Sequence, residues 1–312
     1  MKSFPRPLKI GTRGSPLALW QANRVADLLR ARFPELAPKD ALEIVVITTT
    51  GDRVQNRLLS EIGGKGLFAK EIQEAMAADA IHIAVHSMKD VETVLPDGFE
   101  IVAILERADP RDAWISRDGL GLDDLPAGAK VGTASLRRRA QVLARRPDLE
   151  VVPFRGNVGT RLKKLGAGES DATLLAQAGL DRLGMDDVAT ETLDPAIMLP
   201  AAAQGAVGVE TLIRHEALAE ALSAIDHIET RTVVAAERAL LAELDGSCRT
   251  PIGAFAELDA VGGVRLRALL AREDGLKVWR AERSGLASDG ERLGREIGAE
   301  LRAAGDDRLF ED

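Results

Sequence analysis

Short apolar runs of strand length alternate along the chain with segments whose apolar residues recur at helical spacing. The pattern predicts strands at Leu8–Ile10, Ile44–Thr48, Ile81–Val85, Val131, Val151–Phe154 and Ala172–Ala176. It predicts helices at Pro16–Arg30, Leu67–Ala78, Arg137–Arg145 and Gly159–Leu165. Strands that alternate with helices in this way are typical of α/β architecture, which we expect for residues up to about 200.

The two halves of this α/β region echo each other. Lys9-Ile10-Gly11-Thr12 recurs as Lys130-Val131-Gly132-Thr133, and Asp79-Ala80 recurs, in the same order along the chain, as Asp171-Ala172. Two matches in the same order predict two similarly built domains that face a cleft.

The last part of the chain has a different pattern. After about residue 225 the sequence predicts a helix at Thr230–Glu243, strands at Ile252–Leu258 and Val264–Leu270, and a final helix near Gly290–Ala304. A loop with Cys248 lies between the first of these helices and the first strand. This grouping predicts a small α+β domain.

Composition narrows the class of protein. At 312 residues, 46% hydrophobic and 29% charged, the chain has the composition of a globular protein with two or three domains. Met1–Pro7 lacks the apolar core of a signal peptide, and no apolar run approaches the roughly 18 residues of a membrane span, so we expect a cytoplasmic protein. A single cysteine excludes an internal disulfide, and His82 and His86 have no obvious third ligand, so we predict no metal site.

Charge is distributed unevenly. The net charge of -8 argues against a general nucleic-acid binder, yet residues Lys130 to Lys164 include ten Lys or Arg against two acids. A locally basic stretch in an acidic protein suits a small, multiply anionic ligand better than a long phosphate backbone. A solvated helix face is the alternative explanation.

Three strand-to-helix turns have the features of anion sites. In Gly11–Pro16, Ser15 is suited to the N-cap and Pro16 to the first helical turn, so free backbone N–H groups point at a ligand. Gly132–Ser135 repeats this arrangement ahead of Arg137-Arg138-Arg139, and Arg155-Gly156-Asn157 forms a third turn. Guanidinium groups bind carboxylates through two parallel hydrogen bonds, so these turns predict a polycarboxylate site. Alternatively, the serines only cap helices and the arginines are solvated.

The predicted strand Ile81–Val85 delivers His86-Ser87-Met88-Lys89-Asp90 to its carboxyl end, where open α/β sheets bind ligands. Asp90 is suited to proton transfer or to stabilising a cationic intermediate, and Lys89 to pairing with a substrate carboxylate. The alternative is a surface Lys–Asp pair in a loop.

Two loops have further chemical content. Gly63–Phe68 lacks the spacing and the Lys-Ser/Thr ending of a nucleotide-binding P-loop, so we predict a mobile lid whose Phe68 covers the cleft; a plain flexible loop is the alternative. Cys248 lies beside Arg249, and cationic neighbours favour the thiolate, so this cysteine is suited to carrying a covalent group. A small buried hydrophobic residue is the alternative there.

Together these motifs resemble the porphobilinogen deaminase family from Ile10 to about Ala271. The segments that carry the resemblance are Thr12–Gln21, Gly63–Phe68, Ala84–Asp90, Glu106-Arg107, Asp109–Asp112, Val131–Arg138, Arg155–Arg161, Gln204–Ala206, Cys248 and Pro251–Gly253. The resemblance implies three domains, of which the first two are similar to bacterial solute-binding proteins. The implied boundaries are residues 1–105 with 200–225, residues 106–199, and residues 226–312.

The resemblance also implies an activity, a transferase that joins four porphobilinogen molecules head to tail, releases ammonia and frees linear hydroxymethylbilane for haem biosynthesis. By resemblance, Cys248 holds a dipyrromethane cofactor through a thioether, and Asp90 assists deamination and stabilises the azafulvenium cation. Implied contacts to the cofactor come from Lys89, Asp90, Thr133, Ser135, Arg137, Arg138, Arg155 and Gly156. Implied contacts to the substrate come from Arg13, Ser15, Gln21, Ser87, Arg155 and Arg161, and the implied lid contains Lys65 and Phe68.

Some positions depart from the family pattern. Ala134 stands where serine is usual, Glu92 where proline is usual, and Ser247 where glycine is usual. Ala134 removes one hydroxyl contact to a substrate carboxylate, so slightly weaker anion binding is expected there.

Two other functions compete with the enzyme. A binding protein would capture an anionic metabolite in the same cleft without chemistry, and the family-matched Cys248 counts against it. A nucleic-acid-binding protein would use Arg137–Lys164, and the overall acidity and 3% aromatic content oppose it. We therefore expect an enzyme that acts on porphobilinogen as a monomer, without a nucleic-acid or membrane partner.

Overall fold

The computed structural model describes residues 4–53, 69–244 and 250–305, so the predictions on Lys65, Phe68 and Cys248 lie outside the described residues. The chain divides into two compact units. The described residues of the first unit lie within Met1–Gln55, Gly64–Ala108 and Ala206–Arg231. Those of the second unit lie within Asp109–Gly205 and Thr232–Asp312.

The first unit contains a five-stranded sheet with the order β2-β1-β3-β10-β4. Its strands are β1 Leu8–Thr12, β2 Leu42–Val46, β3 Ile83–Ser87, β4 Phe99–Ile104 and β10 Val207–Leu212. Its helices are α1 Pro16–Arg32, α2 Thr50–Arg53, α3 Lys70–Ala77 and α7 Glu216–Leu222. Strand β1 is parallel to β2 and β3, whereas β10 runs antiparallel to β3 and β4.

The second unit contains a five-stranded sheet with the order β7-β6-β8-β5-β9. Its strands are β5 Asp112–Ser116, β6 Lys130–Gly132, β7 Glu150–Val152, β8 Ala172–Ala176 and β9 Glu191–Thr192. Helices α4 Leu136–Arg145, α5 Val158–Gly166 and α6 Gln177–Arg182 accompany it. Strand β6 is parallel to β7 and β8, and β5 is antiparallel to β8.

The two sheets therefore share one plan. In each, the first βα strand lies between the second and the third, and an antiparallel strand pairs with the third. This agreement is what the echo of Lys9–Thr12 in Lys130–Thr133 predicted, since β1 and β6 occupy the same position in their sheets, each between two parallel strands.

A smaller antiparallel sheet lies in the second unit with the order β11-β12-β13. Its strands are β11 Ile252–Leu258, β12 Gly263–Ala271 and β13 Val278–Leu286, and the helices of this region are α8 Ile228–Glu243 and α9 Gly290–Ala304. The predicted fold class is confirmed, with two α/β sheets and a small C-terminal α+β part. The three predicted domain boundaries stay a prediction.

Helices cover both faces of the first sheet, which explains its continuous apolar runs. On one face Val25 and Leu29 of α1 pack in the same core as Leu8 and Ile10. On the other face α3 contributes Ile72 and Met76 to a second core with Ile81 and Ala84. Because helices cover both faces of the sheet, we expect a ligand to bind at the ends of its strands.

Strand β3 extends two residues beyond its predicted end at Val85. The polar residues His86 and Ser87 continue the strand because they pair with Gly208 and Val207 of β10. Sequence periodicity underestimated the strand because it takes polar residues as an end, whereas the hydrogen-bonded ladder does not.

The hairpin between β12 and β13 packs directly on helix α4. Gly275 has φ +71°, and a Cβ there would lie 2.5 Å from the backbone N of Ala144 and 2.7 Å from the carbonyl O of Ala140. Only glycine permits this approach. The C-terminal sheet thus supports the helix that carries Arg137 and Arg138. Within the described ranges, every helix is too short or too polar to cross a lipid bilayer.

Candidate active site

A pocket of about 100 Å³ lies in the first unit, at the carboxyl ends of β1 and β3. Six residues that the sequence marked for substrate or cofactor line it, namely Arg13, Ser15, Gln21, Ser87, Lys89 and Asp90. They come from the turn after β1, the start of α1 and the end of β3. Since β1 and β3 are parallel neighbours, the segments that follow them reach the same edge of the sheet.

The start of α1 forms one wall of the pocket. Ser15 is the N-cap and accepts a hydrogen bond from the Ala18 N–H at 3.2 Å, and Pro16 occupies the first helical turn, as predicted. The positive end of the helix dipole favours an anion here. Across the pocket Gln21 donates from Nε2 to the Ser87 Oγ at 2.8 Å, which ties α1 to the end of β3.

Asp90 ends a short 3-10 helix, Met88–Asp90, that follows β3. The helix is anchored by Met88, which is buried and whose N–H donates to the Ala206 carbonyl at 3.0 Å. Asp90 itself is exposed, and its carboxylate has no hydrogen-bond partner among the described residues. Of the described residues that line the pocket, Asp90 is also the only acid. The anchored helix thus presents the Asp90 carboxylate to a ligand in the pocket.

Behind the pocket lies a buried polar pair that sequence reasoning missed. The Nε2 of His86 is 2.8 Å from the Oε2 of Glu210, and the Gln73 Nε2 donates to the other carboxylate oxygen at 2.8 Å. Glu210 is fully buried. The signal for it was an acid within the apolar run Val207–Leu212, since a buried acid requires a partner.

The two histidines that lie four residues apart have separate structural partners. His82 accepts a hydrogen bond at Nδ1 from the Lys9 N–H at 2.9 Å, and burial lowers the pKa of His82. His86 pairs with Glu210 instead. Within residues 4–53, 69–244 and 250–305, no group of three or more potential metal ligands occurs.

In the second unit, Arg137 and Arg138 are buried at the start of α4 and share one carboxylate. The Nη1 of Arg137 donates to the Asp112 Oδ2 at 2.7 Å, and the Nη2 of Arg138 donates to the Asp112 Oδ1 at 2.7 Å. Burial alone would raise the pKa of Asp112, but the two guanidinium groups outweigh burial and hold that pKa well below its usual range. Asp112 therefore fixes both arginines.

The two arginines differ in which guanidinium nitrogens already donate hydrogen bonds to described residues. The bonds of Arg137 come from Nη1, which donates to Asp112 and to the Leu199 carbonyl at 2.7 Å. Its Nε and Nη2 have no hydrogen-bond partner among the described residues, and this edge is the one that binds a carboxylate bidentately. Arg138 already donates from Nε, Nη1 and Nη2 to Asp112 and the Leu174 carbonyl. The donor edge of Arg137 is therefore chemically suited to a carboxylate, and the cofactor contacts of Arg137 and Arg138 both stay predictions.

The remaining predicted anion turns follow β6 and β7, which are parallel neighbours. Ser135 caps α4 and accepts from the Arg138 N–H at 3.4 Å, while the Thr133 Oγ1 accepts from the Ser135 N–H at 3.2 Å. Asn157 caps α5 and accepts from the Thr160 N–H at 2.9 Å. Both turns thus lie at one edge of the second sheet.

Gly156 is held in a conformation that requires glycine. Its φ is +126°, and a Cβ would lie 2.7 Å from the Thr160 Cβ. Its carbonyl accepts from the Arg161 Nε at 2.9 Å, so Arg161 is oriented by the turn that Gly156 forms. Burial lowers the pKa of the neighbouring Arg155. Binding roles for these residues stay predictions.

The basic stretch divides into two kinds of residue. Arg145 and Arg146 form exposed or half-exposed ion pairs with Asp123 and Asp148. The alternative of a solvated helix face therefore applies to Arg145, whereas Arg146 also donates to the Leu122 and Leu125 carbonyls and Arg137 and Arg138 belong to the interior.

These features define a class of protein, an α/β protein with one available pocket carboxylate and with cationic helix starts suited to carboxylate ligands. Comparison with known proteins gives the family. Residues 8–220 match the family model described as porphobilinogen deaminase, dipyromethane cofactor binding domain, and residues 231–303 match the porphobilinogen deaminase C-terminal domain. The chain belongs to the porphobilinogen deaminase family.

Relatives span nearly the whole chain. A porphobilinogen deaminase from Paracoccus denitrificans (strain Pd 1222) is 53% identical over 296 residues, which are 95% of this chain and 94% of that protein. A chloroplastic porphobilinogen deaminase from Oryza sativa subsp. japonica is 49% identical over 97% of this chain and 86% of its own length. Among solved structures, a TRAP periplasmic solute binding protein from Desulfovibrio salexigens superimposes with a TM-score of 0.43 at 10% identity, covering 70% of this chain and 72% of that one.

Family membership confirms three of the predictions from sequence. These are the family itself, the transferase class of enzyme with its role in tetrapyrrole synthesis, and the dipyrromethane cofactor. The roles of individual residues stay predictions.

Proposed function

We propose that the pocket of the first unit binds porphobilinogen, that Asp90 promotes its deamination, and that the chain thereby acts as a hydroxymethylbilane synthase. The observation that carries this proposal is the convergence of six predicted residues on one pocket around a carboxylate that has no described partner. Porphobilinogen carries an acetate, a propionate and an aminomethyl group on one pyrrole. Its chemistry requires cations for the two carboxylates and an anion beside the departing amine.

The cations come from the walls of the pocket. Arg13, Lys89 and the N-terminus of α1 capped by Ser15 bind the substrate carboxylates. Gln21 and Ser87 bond to each other and offer their remaining polar atoms to the substrate. We also assign Arg155 and Arg161 to the substrate.

Asp90 faces the positive charge that develops as ammonia leaves. A fixed carboxylate stabilises that charge in the transition state without needing to reorganise, which is the main source of catalysis in many enzymes. The Met88 anchor holds Asp90 at the pocket edge. The same carboxylate is suited to bonding the pyrrole N–H groups of the substrate and the cofactor.

We assign the cofactor to Cys248 through a thioether. We assign the cofactor carboxylates to Arg137 and Arg138 on the Asp112 support, to Arg155, and to the turns with Thr133, Ser135 and Gly156. We also assign Lys89 and Asp90 to the cofactor. When bound, the dipyrromethane supplies the pyrrole carbon to which the first substrate pyrrole is joined. The residues of this chain bind it, orient it and fix its negative charges.

Several further properties remain part of this proposal. We assign the three domains to residues 1–105 with 200–225, to residues 106–199 and to residues 226–312. Each of these domains contains one of the three sheets, and residues 200–225 supply β10 to the sheet of the first domain. We also propose that the protein is a cytoplasmic monomer without nucleic-acid partners. The net charge of -8 supports the absence of nucleic-acid binding.

The test is to incubate the purified protein with porphobilinogen and to measure ammonia and linear tetrapyrrole together. We expect one ammonia released for each porphobilinogen consumed, with hydroxymethylbilane as the product. A matched incubation with an analogue that lacks the aminomethyl group controls for binding alone. Binding of porphobilinogen without ammonia release would instead support the anion-binding alternative.

A further inference from the structure

His86 lies in the wall of the pocket and is held from behind by a buried carboxylate. Its Nε2 is 2.8 Å from the Glu210 Oε2, and both side chains are almost completely buried. The other Glu210 oxygen accepts from the Gln73 Nε2. An ionised carboxylate only accepts hydrogen bonds, so a neutral His86 must carry its proton on Nε2 and donate it to Glu210.

This arrangement leaves the other ring nitrogen of a residue that lines the pocket without a proton. The Nδ1 of His86 has no hydrogen-bond partner among the described residues. It also differs from the Nδ1 of His215, which is sealed off and unpartnered. A ring nitrogen without a described partner, in a residue that lines a ligand pocket and has a carboxylate bonded to its opposite nitrogen, is the arrangement of a histidine general base.

We propose that His86 is a general base of the reaction and that Glu210 is its positioning residue. The inference rests on the proposed function, because it concerns the proton that carbon–carbon bond formation must release. When the attacking pyrrole bonds to the substrate methylene carbon, its α-carbon still carries hydrogen and its ring carries positive charge. The Nδ1 of His86 takes that proton.

The C–H bond of the pyrrole α-carbon breaks, an N–H bond forms at Nδ1, and the C–H electron pair returns to the ring and restores aromaticity. Glu210 stabilises the imidazolium through the Nε2–H bond. The ammonia released by deamination then takes the proton from Nδ1 and leaves as ammonium. Asp90 stabilises the cation throughout, so the two groups have different tasks.

The first test observes the ring itself. Nitrogen-15 NMR of histidine-labelled protein distinguishes the two tautomers, and the chain has four histidines, so the His86 signals are assigned by their loss in His86→Gln. We expect the Nε2–H tautomer with a bare Nδ1, and a change of tautomer or chemical shift at His86 in Glu210→Gln. A proton on Nδ1 in the neutral ring would overturn the proposal.

The second test follows the proton. In His86→Gln the side-chain amide nitrogen replaces Nε2 and can still donate to Glu210, so the fold is preserved while the base is lost. We expect kcat to fall about 100-fold with little change in KM. With porphobilinogen deuterated at its free α-carbon, a primary isotope effect on kcat should appear in the variant, because proton removal becomes rate-limiting. A purely structural role would not produce that isotope effect.

The matched control is His82→Asn, whose amide oxygen replaces the Nδ1 that accepts from Lys9. We expect its kcat and isotope effect to equal those of the unmodified protein. Should His86→Gln not fold, Glu210→Gln keeps the ring and should lower kcat about 10-fold with the same isotope effect. Unchanged kcat, or a loss of kcat without an isotope effect, would overturn the proposal. An unmodified protein that releases no ammonia would instead overturn the proposed function.

Discussion

Asp90→Asn should lower kcat about 1000-fold while the protein remains folded. Asparagine keeps the size of the side chain but removes the only acidic group among the described pocket residues, so the developing cation loses its counter-charge. Stability should be almost unaffected because Asp90 is exposed and has no described hydrogen-bond partner. Ammonia release from porphobilinogen measures kcat, and circular dichroism checks the fold.

Asp97→Asn is the matched control for Asp90. Asp97 is also an exposed acid of the first unit and lies away from the pocket lining. The control removes the same charge and should keep the activity of the unmodified protein. Turnover in Asp90→Asn close to that of this control would contradict the role that we assign to Asp90.

Asp112→Asn should destabilise the second unit by about 3–5 kcal/mol. The substitution leaves Arg137 and Arg138 buried without the carboxylate that balances them. It should also weaken cofactor binding, because the Asp112 carboxylate fixes the edge of Arg137 that we assign to a cofactor carboxylate. Urea unfolding followed by tryptophan fluorescence suits this test, since the buried Trp114 lies on the same strand as Asp112.

The same substitution should change how the stability of the folded protein decreases at acid pH. Burial opposes ionisation of Asp112, but its two arginine partners lower its pKa below the ordinary value of 3.8. A carboxyl whose pKa is lower in the folded state stabilises the fold above the ordinary value, and that stability is lost as the pH falls below it. The unmodified protein should therefore lose stability below about pH 4, and Asp112→Asn should lack this part of the loss.

Asp123→Asn controls for the loss of an Asp–Arg pair. Asp123 forms two hydrogen bonds of 2.6 Å with Arg145, but both side chains are largely exposed. Solvent screens such a pair, so the variant should lose less than about 1 kcal/mol. Equal effects of the two substitutions would show that burial of Asp112 is not what makes it important.

The pocket residues could be predicted from sequence because they adjoin the elements that position them. Ser15 and Pro16 begin a helix directly after an apolar strand, and Lys89 and Asp90 follow another. Local capping and periodicity therefore placed them at strand ends. The repeat of Lys9–Thr12 at Lys130–Thr133 likewise predicted two sheets of one plan, since the two copies lie in strands that occupy the same position in their sheets.

The supporting residues could not be predicted in the same way. Glu210 is 124 positions from His86, and Asp112 is 25 positions from Arg137, so only the folded chain brings them together. Strand β10 escaped prediction for a related reason, because it pairs with β3 after the chain has passed through the second sheet. Periodicity describes one element at a time and contains no information about such partners.

The most direct test of the account is intact mass spectrometry with peptide mapping of the purified protein and of Cys248→Ser. We expect an added mass that matches a dipyrromethane on the Cys248 peptide, and no such mass in the variant. This result would establish the cofactor and its attachment site together. An unmodified Cys248 in folded protein that had been incubated with porphobilinogen would contradict the account.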